Sequence, residues 1–226
     1  PYDTLPDKVS LHINDTHPTL VIPELMRILM DLKGLTWDEA WGLTTRMVSY
    51  TNHTILSEAL EKWPVTMVRD LLPRIQLIIE EINARFCREL MDRYPGDQDR
   101  ISQMAIIYGD QVRMAHLAIV GSYSVNGVAA LHTEILRKRE MKLFDELYPH
   151  RFNNKTNGIT HRRWLLHANP PLTNLINEAI GTRWITHPQE MIGLIKYCED
   201  SSFQEKIAGI KRNNKLQLAE FISSKH

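Results

Sequence analysis

The chain has 226 residues, of which 43% are apolar and 24% are charged. These proportions are typical of a globular protein and exclude a disordered one. Its 27 Lys and Arg residues balance 27 Asp and Glu residues, so the formal net charge is zero. That balance argues against a nucleic-acid-binding or membrane-surface protein, because either normally carries an excess of basic residues.

The cysteine content and the chain start bear on the compartment. Cys87 and Cys198 are too few for a disulfide framework and lack C-x-x-C spacing, which favours a reducing compartment. The chain begins at Pro1 without a Met and shows no signal-peptide pattern, so we expect a processed protein or a piece of a longer one. Its longest apolar runs, such as Met114–Val120, are too short to cross a membrane.

The first elements are a strand and a helix. Val9, Leu11 and Ile13 alternate with polar residues, which predicts a strand with one buried face. Apolar residues at helical spacing follow between Pro23 and Gly34, and these two residues suit the start and end of a helix.

Further helices follow. Thr36 and Glu39 predict a capping box at the start of the second helix. Pro64 can open another helix, which Pro73 interrupts. The longest regular pattern predicts an amphipathic helix that ends before Pro95, and its apolar residues are Ile75, Ile78, Ile79, Ile82, Phe86 and Leu90.

The next segments are predicted from their apolar runs and glycines. Residues 104–107 and 112–120 are predicted to be strands, and residues 121–127 a glycine-rich loop. The helix that follows has an apolar face that includes Leu131 and His132. We interpret His132 as a core histidine whose hydrogen bonds are satisfied.

Residues 152–160 are polar and Asn-rich, and they are predicted to be a connection before a final helical region. Because strands and helices alternate along the chain, the predicted class is α/β. Composition places the domain junction within residues 153–160.

Four polar clusters are candidates for chemistry, and they span residues 14–17, 51–54, 121–127 and 154–158. The first three follow strand-like runs, and loops at strand ends form the ligand crevice of α/β proteins. Amides, hydroxyls, imidazoles and one carboxylate suit a hydroxyl-rich ligand such as a sugar. The alternative is that each cluster is an ordinary turn, since Asn, Asp, Gly and Thr favour turns for backbone reasons.

Other site types find little support. No G-x-S-x-G nucleophile elbow, G-x-G-x-x-G dinucleotide loop or G-K-[ST] phosphate loop occurs. His12 and His17 are five residues apart and no H-E-x-x-H occurs, so we expect no metal site.

Six motifs follow one another along the chain: Asn-Asp-Thr-His-Pro-Thr-Leu at 14–20, Tyr-Thr-Asn-His-Thr at 50–54, Ser-Glu-Ala-Leu-Glu-Lys-Trp-Pro at 57–64, Val-Asn-Gly-Val-Ala at 125–129, Asn-Lys-Thr-Asn-Gly-Ile-Thr at 154–160 and Arg-Arg-Trp at 162–164. Their identity, order and spacing closely resemble the α-glucan (glycogen, starch, maltodextrin) phosphorylase family. The resemblance runs from Val9 to the last helix.

The resemblance implies a helix-rich α/β glycosyltransferase, GT-B-like, with two doubly wound, Rossmann-type lobes that face a deep cleft. Such enzymes use inorganic phosphate to release glucose 1-phosphate from the non-reducing end of an α-1,4-glucan, with retention at the anomeric carbon. The alternative is a non-catalytic carbohydrate-binding α/β module that keeps the pocket without the chemistry.

The family's cofactor is pyridoxal phosphate, held as a Schiff base by a lysine far along the C-terminal lobe. Nothing in this chain corresponds to that lysine, so no lysine here is assigned. We expect residues 1–157 to be the C-terminal part of the N-terminal catalytic lobe and residues 158–226 to begin the C-terminal, cofactor-binding lobe. The resemblance further implies a cytoplasmic homodimer as the full-length protein.

Site residues carry over by motif. His53 resembles the catalytic-site histidine, whose imidazole bonds the 6-hydroxyl of the glucosyl unit. Its main-chain carbonyl would face the positive charge that develops near the anomeric carbon, where a fixed dipole in a dry site is effective. Asn157 would hold the same 6-hydroxyl. Asp15 and His17 would line the adjoining channel, order water and orient His53.

The remaining expected residues surround these groups. Thr54 and Ala59 would shape the same pocket, and Val128 would pack beside the sugar. Trp164 resembles the aromatic residue that packs near the cofactor ring, with Arg163 beside it.

Three positions depart from the family's usual pattern. Tyr123 stands where many members have His, and we expect it to be tolerated. His161 replaces the Pro usual before Arg-Arg-Trp, which could loosen the junction between lobes by restoring a free φ. Glu80 stands where the animal enzymes have a Tyr that helps form a surface glycogen-storage site, so that site is not expected in the same form.

Overall fold

A computed structural model describes residues 2–225. The chain divides into two compact units, Pro1–Asn157 and Gly158–His226. The division falls inside the polar stretch 153–160, and the assignment of the units to two lobes of a larger enzyme stays a prediction.

Within residues 2–225 seven short strands form two sheets: β1 (Leu11–Asn14), β2 (Val48–Thr51), β3 (Lys62–Pro64), β4 (Ile107–Tyr108), β5 (Gln111–Arg113), β6 (Ser124–Gly127) and β7 (Phe152–Asn154). The first sheet is parallel throughout, in the order β1-β2-β6-β7. Its register pairs Asn14 with Thr51, Thr51 with Asn126, and Gly127 with Asn154. The second sheet is antiparallel, in the order β3-β5-β4.

Ten α-helices occupy the same described residues: α1 (Val21–Arg27), α2 (Trp37–Met47), α3 (Val65–Leu71), α4 (Pro73–Arg93), α5 (Gln98–Met104), α6 (Met114–Val120), α7 (Ala130–Ile135), α8 (Lys142–Leu147), α9 (Pro170–Ile180) and α10 (Ser201–Ser223). Shorter π-helical segments cover Ile28–Leu32, Leu136–Glu140 and Arg162–His167. Turns of 3₁₀-helix cover Tyr2–Asp7, Ser57–Ala59, Arg183–Ile185 and Pro188–Tyr197. The class is therefore α/β and helix-rich, as the sequence predicts. No helix in this part of the chain combines the length and apolarity needed to cross a membrane.

The predicted elements at the start of the chain are confirmed. Ile13 is the buried residue of β1, although Val9 lies before the strand and is exposed. The Thr36 hydroxyl accepts from the main-chain N–H of Glu39, whose carboxylate accepts from the N–H of Thr36, so the capping box is formed. Pro73 is the first residue of α4, where a missing N–H costs nothing.

Helix α4 carries the longest stretch of the hydrophobic core. Its predicted apolar stripe is confirmed, and the buried residues include Ile75, Ile78, Ile79, Ile82, Phe86 and Leu90. The same core contains the inward residues of the parallel sheet, which are Ile13, Val48, Tyr50, Val125 and Phe152. This packing fixes the position of the sheet, and with it the segments that follow each strand.

The predicted strand over residues 112–120 is wrong for most of its length. β5 ends at Arg113, and the residues from Met114 to Val120 are helix α6. Six of the seven residues of α6 are buried, so the helix is apolar on nearly all sides. A short run that is apolar all round has no period that distinguishes a strand from a helix. The strand predicted at 104–107 is also largely wrong, because Met104 ends α5 and only Ile107 belongs to a strand.

The loop predicted for residues 121–127 contains strand β6, and the connection predicted for 152–160 begins with β7. The apolar pattern of the sequence does not reveal β6, because Ser124 and Asn126 are polar and the buried position at Gly127 has no side chain. The hydroxyl of Ser124 accepts from Asn153 Nδ2 at 2.9 Å, so hydrogen bonds between strands replace the missing apolar signal.

The second unit is built mainly from helices α9 and α10. Trp184 is fully buried, and its Nε1–H donates to Asn177 Oδ1 at 2.9 Å. His161 lies against the Trp184 ring, and its Nε2 is 3.1 Å from the carbonyl of Ile185. These contacts hold His161 inside its own unit. The predicted loosening of a junction between lobes stays untested.

Candidate functional site

The candidate site lies at the carboxyl edge of the parallel sheet. Because β1, β2, β6 and β7 all run in the same direction, their carboxyl ends meet at one edge, where ligands bind in open α/β sheets. Three of the four polar clusters begin or continue just past these ends. The third cluster, 121–127, instead contains a strand, and Val128 follows it.

Asp15 is the first residue after β1 and has an unusual backbone. Its φ of 60° lies in the left-handed region, which Asp tolerates better than most residues. Its N–H donates to the carbonyl of Thr51 at 2.9 Å, which extends the ladder between β1 and β2 by one residue. One carboxylate oxygen accepts from the N–H of Thr16 at 2.8 Å, and the other lies 3.4 Å from the Thr54 hydroxyl. The structure therefore brings the expected residues Asp15 and Thr54 together.

His53 projects from this edge with an exposed imidazole. Its Nε2 lies 2.7 Å from Asn14 Oδ1. An amide oxygen only accepts, so this contact requires Nε2–H to donate and leaves Nδ1 as an acceptor in the neutral ring. Asn14 was not singled out as a separate site residue in the sequence, yet it orients the ring of the expected catalytic histidine.

Asn52 fixes the main chain on which His53 is carried. It is 1% exposed, and its N–H donates to the carbonyl of Asn126 at 2.9 Å. Its side chain donates to the Tyr50 hydroxyl at 2.9 Å and accepts from the N–H of Thr54 at 2.9 Å. Burial raises the pKa of Tyr50, which therefore stays neutral. The hydrogen bonds of the buried Asn52 therefore fix the main chain on which His53 is carried, while the imidazole of His53 stays exposed.

Glu61 joins the site from a later segment. Its carboxylate accepts a hydrogen bond from the hydroxyl of Thr16 and lies 3.4 Å from Nδ1 of His17. His17 is 74% exposed, so the pair lies on the open side of the site. Sequence reasoning placed Glu61 in a family motif but gave it no role. The feature that could have indicated a role for Glu61 is its position inside that motif, directly before strand β3.

Val128 and Asn157 are held together by the main chain. The N–H of Asn157 donates to the carbonyl of Val128 at 2.9 Å, and the N–H of Val128 donates to His132 Nδ1 at 3.0 Å. Val128 is half-buried, whereas Asn157 is exposed. The structure therefore places two more of the expected residues side by side.

The interpretation of His132 as a satisfied core histidine is wrong. His132 is only half-buried, and Leu131 beside it is 68% exposed, so α7 has no apolar face at this point. Within the described residues the buried Nε2 atom of His132 has no hydrogen-bond partner. Burial lowers the pKa of the ring, which keeps it neutral.

The other expected site residues have fewer contacts. Ala59 is exposed on the 3₁₀ turn Ser57–Ala59. Arg163 and Trp164 are exposed in the second unit, and the indole of Trp164 is 67% exposed. Tyr123 is exposed, and its N–H donates to the carbonyl of Val48 at 3.0 Å. Glu80 is exposed on α4, where it accepts from Gln76.

A hydrogen-bonded chain crosses the sheet just behind the site. Thr51 Oγ1 donates to Asn126 Oδ1 at 2.7 Å and lies 2.6 Å from His12 Nε2, which must therefore be the donor in the second contact. Thr51 is 6% exposed. Sequence reasoning gave His12 and Thr51 no structural role, because the link spans three strands that are far apart in the chain.

Replacing Thr51 by valine should lower the stability of the full-length protein by about 1–3 kcal/mol, because the amide oxygen of Asn126 and Nε2 of His12 both lose the hydroxyl that they contact. Thermal or urea unfolding would measure the change. Thr45→Val is the matched control, since the Thr45 hydroxyl donates only to the carbonyl of Trp41 within α2. Equal losses in the two variants would show that the cross-strand chain has no special weight.

Metal and pyridoxal sites each require a particular set of side chains. Among residues 2–225 no three His, Cys, Asp or Glu side chains are close enough to hold a metal ion. Every lysine that the structure describes is exposed. A Schiff-base lysine needs a desolvated pocket to lower its pKa, and residues 2–225 by themselves provide no such pocket around a lysine.

Fold and site together define an α/β protein with a hydroxyl-, amide- and imidazole-rich edge suited to a polar, uncharged ligand. The Phosphorylase family, described as "Carbohydrate phosphorylase", matches residues 1–226. Glycogen phosphorylase of Bacillus subtilis is 58% identical over 215 residues, which cover 95% of this chain and 27% of that protein. The muscle forms of glycogen phosphorylase from Oryctolagus cuniculus and Homo sapiens are each 48% identical over 228 residues, covering 100% of this chain and 27% of each relative.

The chain therefore belongs to the carbohydrate phosphorylase family. It spans 27% of the length of these relatives, so it corresponds to a part of proteins of this kind.

Proposed function

We propose that the full-length protein containing this chain is an α-1,4-glucan phosphorylase. It would use inorganic phosphate to release glucose 1-phosphate, with retention at the anomeric carbon. The observation that carries the proposal is the His53 arrangement, in which a buried Asn52 holds the peptide and Asn14 orients the exposed ring. Family membership supports it, since the relatives named above are glycogen phosphorylases.

In this proposal His53 binds the glucosyl unit with two groups. Its Nε2–H is engaged by Asn14, so Nδ1 is the atom that accepts from the 6-hydroxyl of the sugar. Its main-chain carbonyl faces the anomeric carbon, where a fixed dipole stabilises developing positive charge. Asn157 holds the same 6-hydroxyl from the segment after β7, with its main chain fixed by Val128.

The residues around these groups shape the channel. Asp15 and Thr54 form one wall of the pocket, and Val128 packs beside the sugar. His17, held near Glu61, orders water on the open side. Ala59 is small and leaves room where the turn Ser57–Ala59 faces the ligand.

We propose pyridoxal phosphate as the cofactor of the full-length enzyme, with Arg163 and Trp164 packing near its ring. When bound, its phosphate group supplies acid/base chemistry to the substrate phosphate. No lysine of this chain is assigned the Schiff-base role, and we propose that this lysine lies in another part of the full-length protein. The proposed substrates are an α-1,4-glucan and inorganic phosphate, and the proposed assembly is a cytoplasmic homodimer.

Phosphorolysis of maltoheptaose tests the proposal. The full-length protein with pyridoxal phosphate and inorganic phosphate should form glucose 1-phosphate, whereas residues 1–226 alone should form none that is detectable. The reason is that this chain is proposed to carry the glucose side of the site, with the Schiff-base lysine in another part of the protein.

Two outcomes would contradict this account. Glucose 1-phosphate formed by residues 1–226 alone would show that the chain holds a complete site. Glucan binding by the full-length protein without any phosphorolysis would instead favour a non-catalytic carbohydrate-binding module.

A further inference from the structure

His132 is placed between the two parts of the site that are proposed to hold the sugar. Its ring projects from α7, which begins two residues after Val128. Nδ1 accepts the Val128 N–H at 3.0 Å, and the carbonyl of Val128 accepts the N–H of Asn157 at 2.9 Å. One nitrogen of His132 is therefore linked, through a single residue, to the main chain of Asn157.

The hydrogen bond at Nδ1 determines where the ring proton lies. Because Nδ1 accepts, the neutral imidazole must carry its hydrogen on Nε2. Within residues 2–225 that Nε2 atom is buried and has no partner. A buried donor without a partner is costly, and native proteins seldom keep one without a use.

The surroundings of the ring indicate what that use is. Besides burial, which lowers the pKa of the ring, a hydrogen-bond contribution from the backbone of Thr54 raises it, and His53 and Asp15 act on it through their charge. Because Nδ1 already accepts from Val128, the main-chain carbonyl of Thr54 is the acceptor within reach of Nε2–H. No formed hydrogen bond to it exists in this structure.

We propose that His132 is a positioning residue for the glucosyl subsite. Its Nδ1 fixes Val128 and, through Val128, Asn157, while its Nε2–H is available to the carbonyl of Thr54, the residue that follows His53. This inference rests on the proposed function, because it takes the 6-hydroxyl as the group that His53 and Asn157 hold.

Two substitutions separate the roles of the two nitrogens. His132→Asn keeps an acceptor near the Nδ1 position, and His132→Gln keeps a donor near the Nε2 position. In the full-length protein each should lower kcat/KM for glucose 1-phosphate, measured in the direction of glucan synthesis, by about tenfold, and His132→Ala by about 100-fold. Leu131→Ala is the control on the same helix, because Leu131 is 68% exposed, and it should leave kcat/KM unchanged.

A substrate without the 6-hydroxyl distinguishes positioning from general damage. With 6-deoxyglucose 1-phosphate the His132 variants should differ from the unchanged protein by less than about twofold, since the group they position has no partner. Equal losses with both sugar phosphates would overturn the inference. It would also be overturned if the unchanged protein is active and all three His132 variants have the same kcat/KM as it has.

Amide hydrogen exchange of the segment that contains Val128 gives a readout independent of catalysis. His132→Ala should lose protection at this segment and His132→Asn should retain it. If the unchanged full-length protein shows no phosphorolysis, the proposed function fails. In that case equal protection in the two variants would overturn the link through Val128, and loss of protection in the alanine variant alone would support it.

Discussion

Replacing His53 by alanine in the full-length protein should lower kcat/KM for phosphorolysis about 10- to 100-fold, which corresponds to about 1.4–2.7 kcal/mol of lost transition-state stabilisation. The substitution removes the imidazole but keeps the main-chain carbonyl, which Asn52 holds in place through its bonds to Asn126 and Thr54. The loss is therefore that of a side-chain hydrogen bond to the sugar. Initial rates with maltoheptaose and phosphate would measure it.

The assigned role predicts two further properties of the His53→Ala variant. Its pyridoxal absorbance should be unchanged, because His53 is proposed to touch the sugar and not the cofactor. Its deficit should also shrink for a substrate that lacks the 6-hydroxyl, since enzyme and substrate have then lost the two ends of the same bond. Loss of bound pyridoxal, or a deficit independent of the 6-hydroxyl, would contradict the assignment.

Replacing Gly127 by alanine should lower the stability of the full-length protein. A Cβ at this position would lie 2.5 Å from the hydroxyl of Thr133 and 2.9 Å from its Cα, so α7 would have to move away from the end of β6. Thr133 also holds the carbonyl of Ala129 and the side chain of Asn154, and these bonds would be strained. We expect a cost of about 1–3 kcal/mol and a fall of several degrees in Tm.

Gly42→Ala is the matched control for this steric effect. A Cβ at Gly42, which is exposed in α2, would have no heavy atom within 4 Å. Alanine is the better helix former, so this variant should gain about 0.5–1 kcal/mol. Thermal unfolding of both variants measures the contrast, and a Gly127→Ala protein as stable as the unchanged one would show that α7 packs less tightly than described.

Local sequence signals predicted the local structure well. The capping box of Thr36 and Glu39, and the stripe from Ile75 to Leu90, depend on residues three or four positions apart. The convergence of Asp15 and Thr54 was also expected, because it needs only parallel strands that end at one edge.

Contacts between distant segments were not accessible in the same way. Glu61 meets Thr16 across 45 residues, and no periodic pattern reports where the chain from Thr54 to Glu61 returns. The helix Met114–Val120 was missed because a fully buried run has no polar face to reveal its period. The unpartnered nitrogen of His132 was missed because no local pattern in the sequence reports which distant segments bury a side chain.

The left-handed backbone of Asp15 has a consequence for how this position can vary in nature. Glycine or asparagine could keep the φ of 60°, but neither would supply the carboxylate that meets Thr16 and Thr54. Glutamate would keep a carboxylate, yet it enters the left-handed region at a cost. Position 15 therefore has two separate requirements, a left-handed backbone and a carboxylate on a short side chain. Aspartate meets both of them.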